Sequence, residues 1–211
     1  MVRKDIDSFI NTIPKGIIVV AATKYIGSND MRVLYDEHGI KDFGENRVDS
    51  FLAKYEELSD LKDIKWHFIG HLQRNKAKKV INKIHYLHSL DSLDLAKEIE
   101  KYRESPLDVF IEVSINLEES KNGVPFYRVE DFIKELQNYK KIHLIGLMMM
   151  AYKDSDKPEQ EFLKLKSLKE EIEKKLKINI PYLSMGMSDD YEDALKAGAT
   201  HIRLGRILYE K

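Results

Sequence analysis

The chain has 211 residues, with 35 Lys and Arg set against 36 Asp and Glu for a formal net charge of -1, so no global field draws it to nucleic acid or to an anionic membrane. It contains no cysteine, which excludes a disulfide framework, a thiol nucleophile and a zinc-thiolate site and suits a reducing compartment. The first stretch mixes Arg3, Lys4, Asp5, Asp7 and Lys15 with apolar positions. No apolar run is long enough for a signal peptide or a membrane span, so the sequence reads as that of a cytoplasmic protein.

In chain order, short apolar runs recur as GIIVVAAT, DFGE, WHFIGHL, IHYLHSL, DVFIEVSI, IHLIGLMMM, PYLSMGM and THIRLGR, each the length of a buried strand. Polar segments with helical spacing separate them. Met31, Leu34, Tyr35 and His38 form one set, closed by Gly39; Ala77, Val80, Ile81 and Ile84 form another. Leu95, Ile99 and Tyr102 continue the pattern, with Asp91 or Ser92 placed to cap. VEDFIKELQNYK and EQEFLKLKSLKEEIEKKL carry similar stripes, and SDDYEDALKAGA closes on Gly198. Strand-helix alternation repeated about eight times predicts a single-domain (β/α)8 barrel, an α/β fold, over residues 1–211. A doubly wound open sheet is the rival, weakened because no G-x-G-x-x-G follows the first strand. Only ILYEK follows the last strand. The final barrel helix is therefore expected to be a stub or to be replaced by the early segment DIDSFINTI.

In such a barrel the residues that leave each strand toward its helix form the active rim. Lys24 follows the first strand; Asn46 and Arg47 follow FGE; His71, Gln73 and Arg74 follow WHFIG; Ser89 and Asp91 follow HYLH. A lysine whose stem lies against the core has its charged form disfavoured, which frees the amine to condense with an aldehyde. In LSMGMSDD, the Ser184 hydroxyl and the backbone at Gly186 offer a phosphate cradle, supplemented by Arg203 and the Gly205 amide of RLGR. Asp189 and Asp190 read as first-turn acids with Ser188 as the helix cap. His67 and His71 are four apart on a strand and lack a third ligand, so no metal site is assigned. Glu112 either enters the barrel as an acid or forms a structural ion pair. Met148, Met149 and Met150 read as core and rim packing.

Together, TKY, FGENRV, WHFIGHLQRNKAK, HSLDS, GLMMM, LSMGMSDDYEDAL and IRLG resemble the pyridoxal phosphate homeostasis protein family, in order, from Val19 to Gly205. That family is similar to the N-terminal barrel domain of the alanine racemases. The resemblance implies pyridoxal phosphate bound covalently through Lys24, with Asn46 beside the cofactor ring. It further implies that Ser184, Met185 and Gly186 hold the phosphate, that Arg203 and Gly205 complete the phosphate and ring contacts, and that His71 completes the set.

An arginine near the pyridine nitrogen keeps that nitrogen unprotonated and weakens the ring as an electron sink. The resulting expectation is a monomeric, non-catalytic carrier that buffers pyridoxal phosphate and passes it to the apo forms of enzymes that use it; related racemases draw a second base from an additional β domain that is not expected here. The alternative is a single-domain racemase or lyase in which Tyr25, His71 or Lys76 supplies the missing proton donor. A third reading, independent of the resemblance, is a sugar-phosphate isomerase using Lys24, which predicts a colourless protein.

Overall fold

A computed structural model describes residues 2–115, 123–152 and 155–209. Among these residues the nine strands are β1 (Ile18–Ala22), β2 (Asp42–Glu45), β3 (Lys65–Phe68), β4 (Tyr86–Leu90), β5 (Leu107–Ser114), β6 (Val124–Pro125), β7 (Ile142–Met148), β8 (Tyr182–Ser184) and β9 (His201–Leu204). Each predicted apolar run contributes one strand. All pair in parallel, in the order β4-β3-β2-β1-β9-β8-β7-β5, and a further β4–β5 pairing closes the ring. The two-residue β6 lies outside it, against the end of β5. The fold is therefore the expected closed eight-stranded barrel, and the open sheet is excluded.

The helices are α1 (Ile6–Ile10), α2 (Ser28–Asp36), α3 (Val48–Glu57), α4 (Ala77–Val80), α5 (Leu93–Tyr102), α6 (Val129–Leu136), α7 (Pro158–Leu176) and α8 (Tyr191–Lys196). None is long and apolar enough to cross a membrane. Ser92 caps α5 by accepting the Leu95 N–H at 3.4 Å, as its position predicts. The helix after β3 is shorter than its apolar spacing suggests. The Lys83 N–H turns back to the Val80 carbonyl at 2.8 Å, while Asn82 bonds the Tyr102 carbonyl and the Glu104 N–H. Ile81 and Ile84 are buried all the same.

The eighth helix position falls to α1. Phe9 packs edge-on against Tyr191 of α8, with centroids 5.8 Å apart, and Asp7 bonds His38 beyond α2 at 2.8 Å. Val2 forms an antiparallel bridge with Tyr209. The early segment thus takes that place, and among the described residues after β9 Arg206–Leu208 forms only a short 3-10 turn. Of ILYEK, the last two residues lie outside the described residues.

Strand alternation divides the interior into two layers. One face of each strand joins a continuous apolar shell beneath the helices, including Phe43, Trp66, Phe68, Leu87, Ile111, Leu147, Leu183 and Ile202. There Phe51 of α3 sits edge-on to Trp66 at 5.3 Å and to Phe68 at 6.4 Å. The other face lines the barrel lumen, whose apolar content includes Val20 beside Gly44 and a small separate cluster of Phe110, Ile145 and Met148 with Tyr86 against it. Around them stand the buried polar side chains of His67, His88, Ser184, His201 and Arg203.

Candidate functional site at the barrel mouth

At the end of β1 the chain turns outward. The Ile26 N–H bonds the Thr23 carbonyl at 3.1 Å, which places Lys24 in the bend. Lys24 is exposed, with Nζ 4.4 Å from the ring centroid of Tyr25, itself 73% exposed. This corrects the expectation of a lysine sheltered against the core. The buried ammonium at this strand end belongs instead to Lys54 of α3, which donates to the Thr23 carbonyl at 2.6 Å and to Glu45 at 2.5 Å. Glu45 is fully buried and also accepts the Asn46 N–H at 2.8 Å and the Thr23 hydroxyl at 3.2 Å. One buried ion pair therefore fixes the backbone on which both Lys24 and Asn46 are mounted.

Asn46 is half-buried, and its Oδ1 is a buried polar atom with no hydrogen-bond partner among the described residues. Such an atom carries a desolvation cost until something donates to it. Its approach to β3 requires Gly70, where a Cβ would lie 2.4 Å from the Asn46 carbonyl oxygen.

Ser184 and Arg203 meet inside the lumen rather than in a loop at the rim. Arg203 is buried and donates to Ser184 Oγ at 2.7 Å and to the Met149 carbonyl at 3.0 Å. Burial lowers its pKa to about 10 against the opposing influence of Glu112 and Asp190. Ser184 is fully buried and also bonds His88, so its hydroxyl is engaged by protein. Met185 is fully buried in the outer shell. Gly186 has φ +91°, and a Cβ there would lie 2.5 Å from that of Ala194; it lets α8 approach the sheet.

The hydroxyl at the rim is that of Ser188. It does not cap α8, which begins at Tyr191 with Asp190 before it; instead it accepts the Gly205 N–H at 3.2 Å and the Ile207 N–H at 3.4 Å. Both lone pairs are thereby used and its proton remains to donate. Asp190 turns back to accept the Met187 N–H at 2.6 Å, and Asp189 pairs with Arg206. Gly205 lies against the end of β1, its Cβ position 3.7 Å from Ala22.

His71 is partly exposed and bonds the largely buried Asp91 at 3.0 Å. Glu112 is buried, and its carboxyl is pushed up by burial and by the charge of Asp91, with Arg203 and His71 opposing. Tyr25 is lowered by its hydrogen bond to Lys24 and by the charges of Lys24, Arg206 and Arg47. Met148 and Met149 are buried and Met150 is exposed, the expected division between core and rim.

The arrangement thus gathers Ser188, Gly205, Lys24 and Asn46 along the adjacent ends of β8, β9, β1 and β2, with Arg203 beneath. His71 stands farther round, after β3. Sequence reasoning passes over His88, Asp42 and Lys54. The signal for the first is present: polar residues alternate with apolar ones through Lys65–His67, Tyr86–His88 and His201–Arg203, a period of two inside otherwise buried strands.

Residues 3–211 match the family model described as alanine racemase, N-terminal domain, the class that this barrel and its mouth define. The chain is 38% identical over 196 residues to a pyridoxal phosphate homeostasis protein of Aquifex aeolicus, covering 90% of this chain and 85% of that one. It is 36% identical over 206 residues to a Synechocystis protein of the same name, covering 95% and 94%. The chain belongs to the family of pyridoxal phosphate homeostasis proteins. Among solved structures it is similar to PipY of Synechococcus elongatus PCC7942 with pyridoxal phosphate bound, with a TM-score of 0.88, 28% identity and coverage of 96% and 97%. It also shares its fold with an alanine racemase of Clostridium difficile, with a TM-score of 0.79 and 16% identity, spanning all of this chain and 58% of that one.

Proposed function

We propose that this protein, as one folded domain, holds pyridoxal phosphate at the barrel mouth, covalently through Lys24, and serves as a cytoplasmic, monomeric reservoir that buffers the cofactor or delivers it to apoenzymes. When bound, the cofactor supplies an aldehyde that condenses with an amine and releases water. The observation that carries the reading is the orphaned Asn46 oxygen: a buried amide left open beside the strand end that presents Lys24 fits a ring bearing a polar substituent. The Ser188 hydroxyl proton and Arg206 form the polar end suited to the phosphate, and the Gly205 N–H joins them once Ser188 turns away from it. Arg203 offers a fixed positive charge beneath the ring. Ser184, Met185 and Gly186 act from behind, Ser184 by holding Arg203 and the other two by seating the loop that carries Ser188. His71, oriented by Asp91, stands at the margin of the ligand.

Exposure of Lys24 suits exchange, since an amine open to solvent can take up and release an aldehyde without a gate. The test is direct. Protein incubated with pyridoxal phosphate should turn yellow, and borohydride should fix one cofactor on the Lys24 peptide. Lys24→Ala should lose all covalent attachment while keeping the wild-type melting temperature; modification at another lysine would refute the assignment.

A second reading, the racemase or lyase, draws on Tyr25, whose phenol lies beside the Lys24 amine. It predicts solvent-deuterium incorporation at the α-carbon of amino acids, abolished by Tyr25→Phe. The reservoir reading predicts no such turnover.

A further inference from the structure

Beneath Arg203 an unbroken series of hydrogen bonds runs down the lumen to the opposite end of the barrel. Arg203 Nη1 meets Ser184 Oγ at 2.7 Å, Ser184 Oγ meets His88 Nδ1 at 2.8 Å, His88 Nε2 meets His67 Nδ1 at 2.9 Å, and His67 Nε2 meets Asp42 Oδ1 at 2.9 Å. His67, His88 and Ser184 are fully buried, whereas Asp42, the first residue of β2, has a side chain 29% exposed. The five residues come from five strands.

The two ends determine the direction of every bond. A guanidinium only donates and a carboxylate only accepts. Burial disfavours the charged form of both histidines, so each is neutral and carries a single ring proton. His67 must then donate from Nε2 to Asp42 and accept at Nδ1. His88 must donate from Nε2 and accept at Nδ1 from the Ser184 hydroxyl, whose oxygen accepts from Arg203. No other assignment with neutral rings leaves every contact a hydrogen bond. The rings are clamped as well: Tyr86 stacks on His67 at 4.5 Å and Phe110 on His88 at 4.4 Å.

We propose that Asp42, His67, His88 and Ser184 form a one-way hydrogen-bond chain that positions the Arg203 guanidinium at the ligand site from the far end of the barrel. These are positioning residues, because none of them other than through Arg203 reaches the mouth. The role toward the ligand rests on the reading above, in which Arg203 lies under the cofactor ring; the chain itself does not. Removing a link frees the guanidinium to reorient and alters the field along the chain, since each bond polarises the next.

The experiment has two arms. In the first, the free protein labelled with 15N-histidine is examined by NMR near neutral pH. His67 and His88 should both appear as neutral rings protonated at Nε2; a cation or an Nδ1–H tautomer at either overturns the chain. In the second, wild type, Asp42→Asn, Asp42→Ala and His88→Phe are loaded with pyridoxal phosphate, and the visible band, its pH profile and cofactor retention are compared. Asp42→Ala and His88→Phe should shift the band and weaken retention about tenfold, while Asp42→Asn, which keeps an acceptor but loses the charge, should fall between. Borohydride labelling of Lys24 should persist in all. If His88→Phe does not fold, Asp42→Ala at the partly exposed end decides the matter. Wild-type spectra, pH profiles and retention in both Asp42 variants would overturn the positioning role. If wild type takes up no cofactor, the functional reading fails, and the histidine resonances still decide the chain.

Discussion

The apolar shell under the helices and the lumen inside the strands are built by the same eight strands and obey different rules. In the shell, Phe51, Trp66, Phe68 and their neighbours are interchangeable in kind: what matters is volume and the area removed from water, roughly 1.5–3 kcal/mol for each large side chain fully buried. In the lumen, His67, His88, Ser184 and Arg203 contribute little by area and stand or fall by whether each polar atom has its partner. The shell can tolerate a different residue of similar size. The lumen cannot tolerate even an isostere that donates where it should accept.

Substitutions within α3 should separate polar pairing from apolar area. Lys54→Met, which leaves the Glu45 carboxylate buried and unpaired, should cost about 3–5 kcal/mol and weaken cofactor retention, because the Thr23 and Asn46 backbones lose a common anchor. Phe51→Ala should cost a similar 3–5 kcal/mol through the cavity it leaves, measured by urea unfolding, yet the folded fraction should retain cofactor like wild type. Equal retention in the two variants would erase the distinction between pairing and area.

Acid should act first on the lumen. His67 and His88 are lowered by burial, and His201 is lowered, chiefly by burial, to about 3. Facing His67 are Asp42, which raises it, and Lys65, which lowers it; His67, His201 and Arg203 all lower His88. Below about pH 6.5 the unfolded chain takes up protons that these folded rings refuse, so stability falls as pH drops, by up to about 1.4 kcal/mol per pH unit for each ring. For His201 the loss continues toward pH 3. The urea midpoint should therefore slide downward below pH 6.5, and the further decrement from Phe51→Ala should stay constant along that slide.

The shell was legible because it is written in periodicity. Runs such as GIIVVAAT and DVFIEVSI announce strands, and Met31–Leu34 or Leu95–Ile99 announce helices that must cover them. The length of α4 was not legible, since Asn82 and the Lys83 turn end it through contacts with the segment after α5. At the mouth, the strand ends indicated Lys24, Asn46 and Arg203, and the structure brings these to one quarter of the barrel. The shelter expected for Lys24 could not be read, because it depends on α3 delivering Lys54 to the same carbonyl. Ser184 and Ser188 are four residues apart in one motif, and only the turn at Gly186, with Asp190 folded back on Met187, decides which of them faces inward and which meets the Gly205 amide.

The end of β1 holds two primary amines with opposite fates. The donors of Lys54 are engaged by the Thr23 carbonyl and Glu45, with the Thr23 hydroxyl at 3.5 Å, whereas Lys24 stands in water. An electrophile arriving at this strand end thus meets one nucleophile only, and the choice between the two amines is made by accessibility before any question of basicity arises. Acylating or carbamylating reagents should report the same preference, marking Lys24 and sparing the amine lodged behind it.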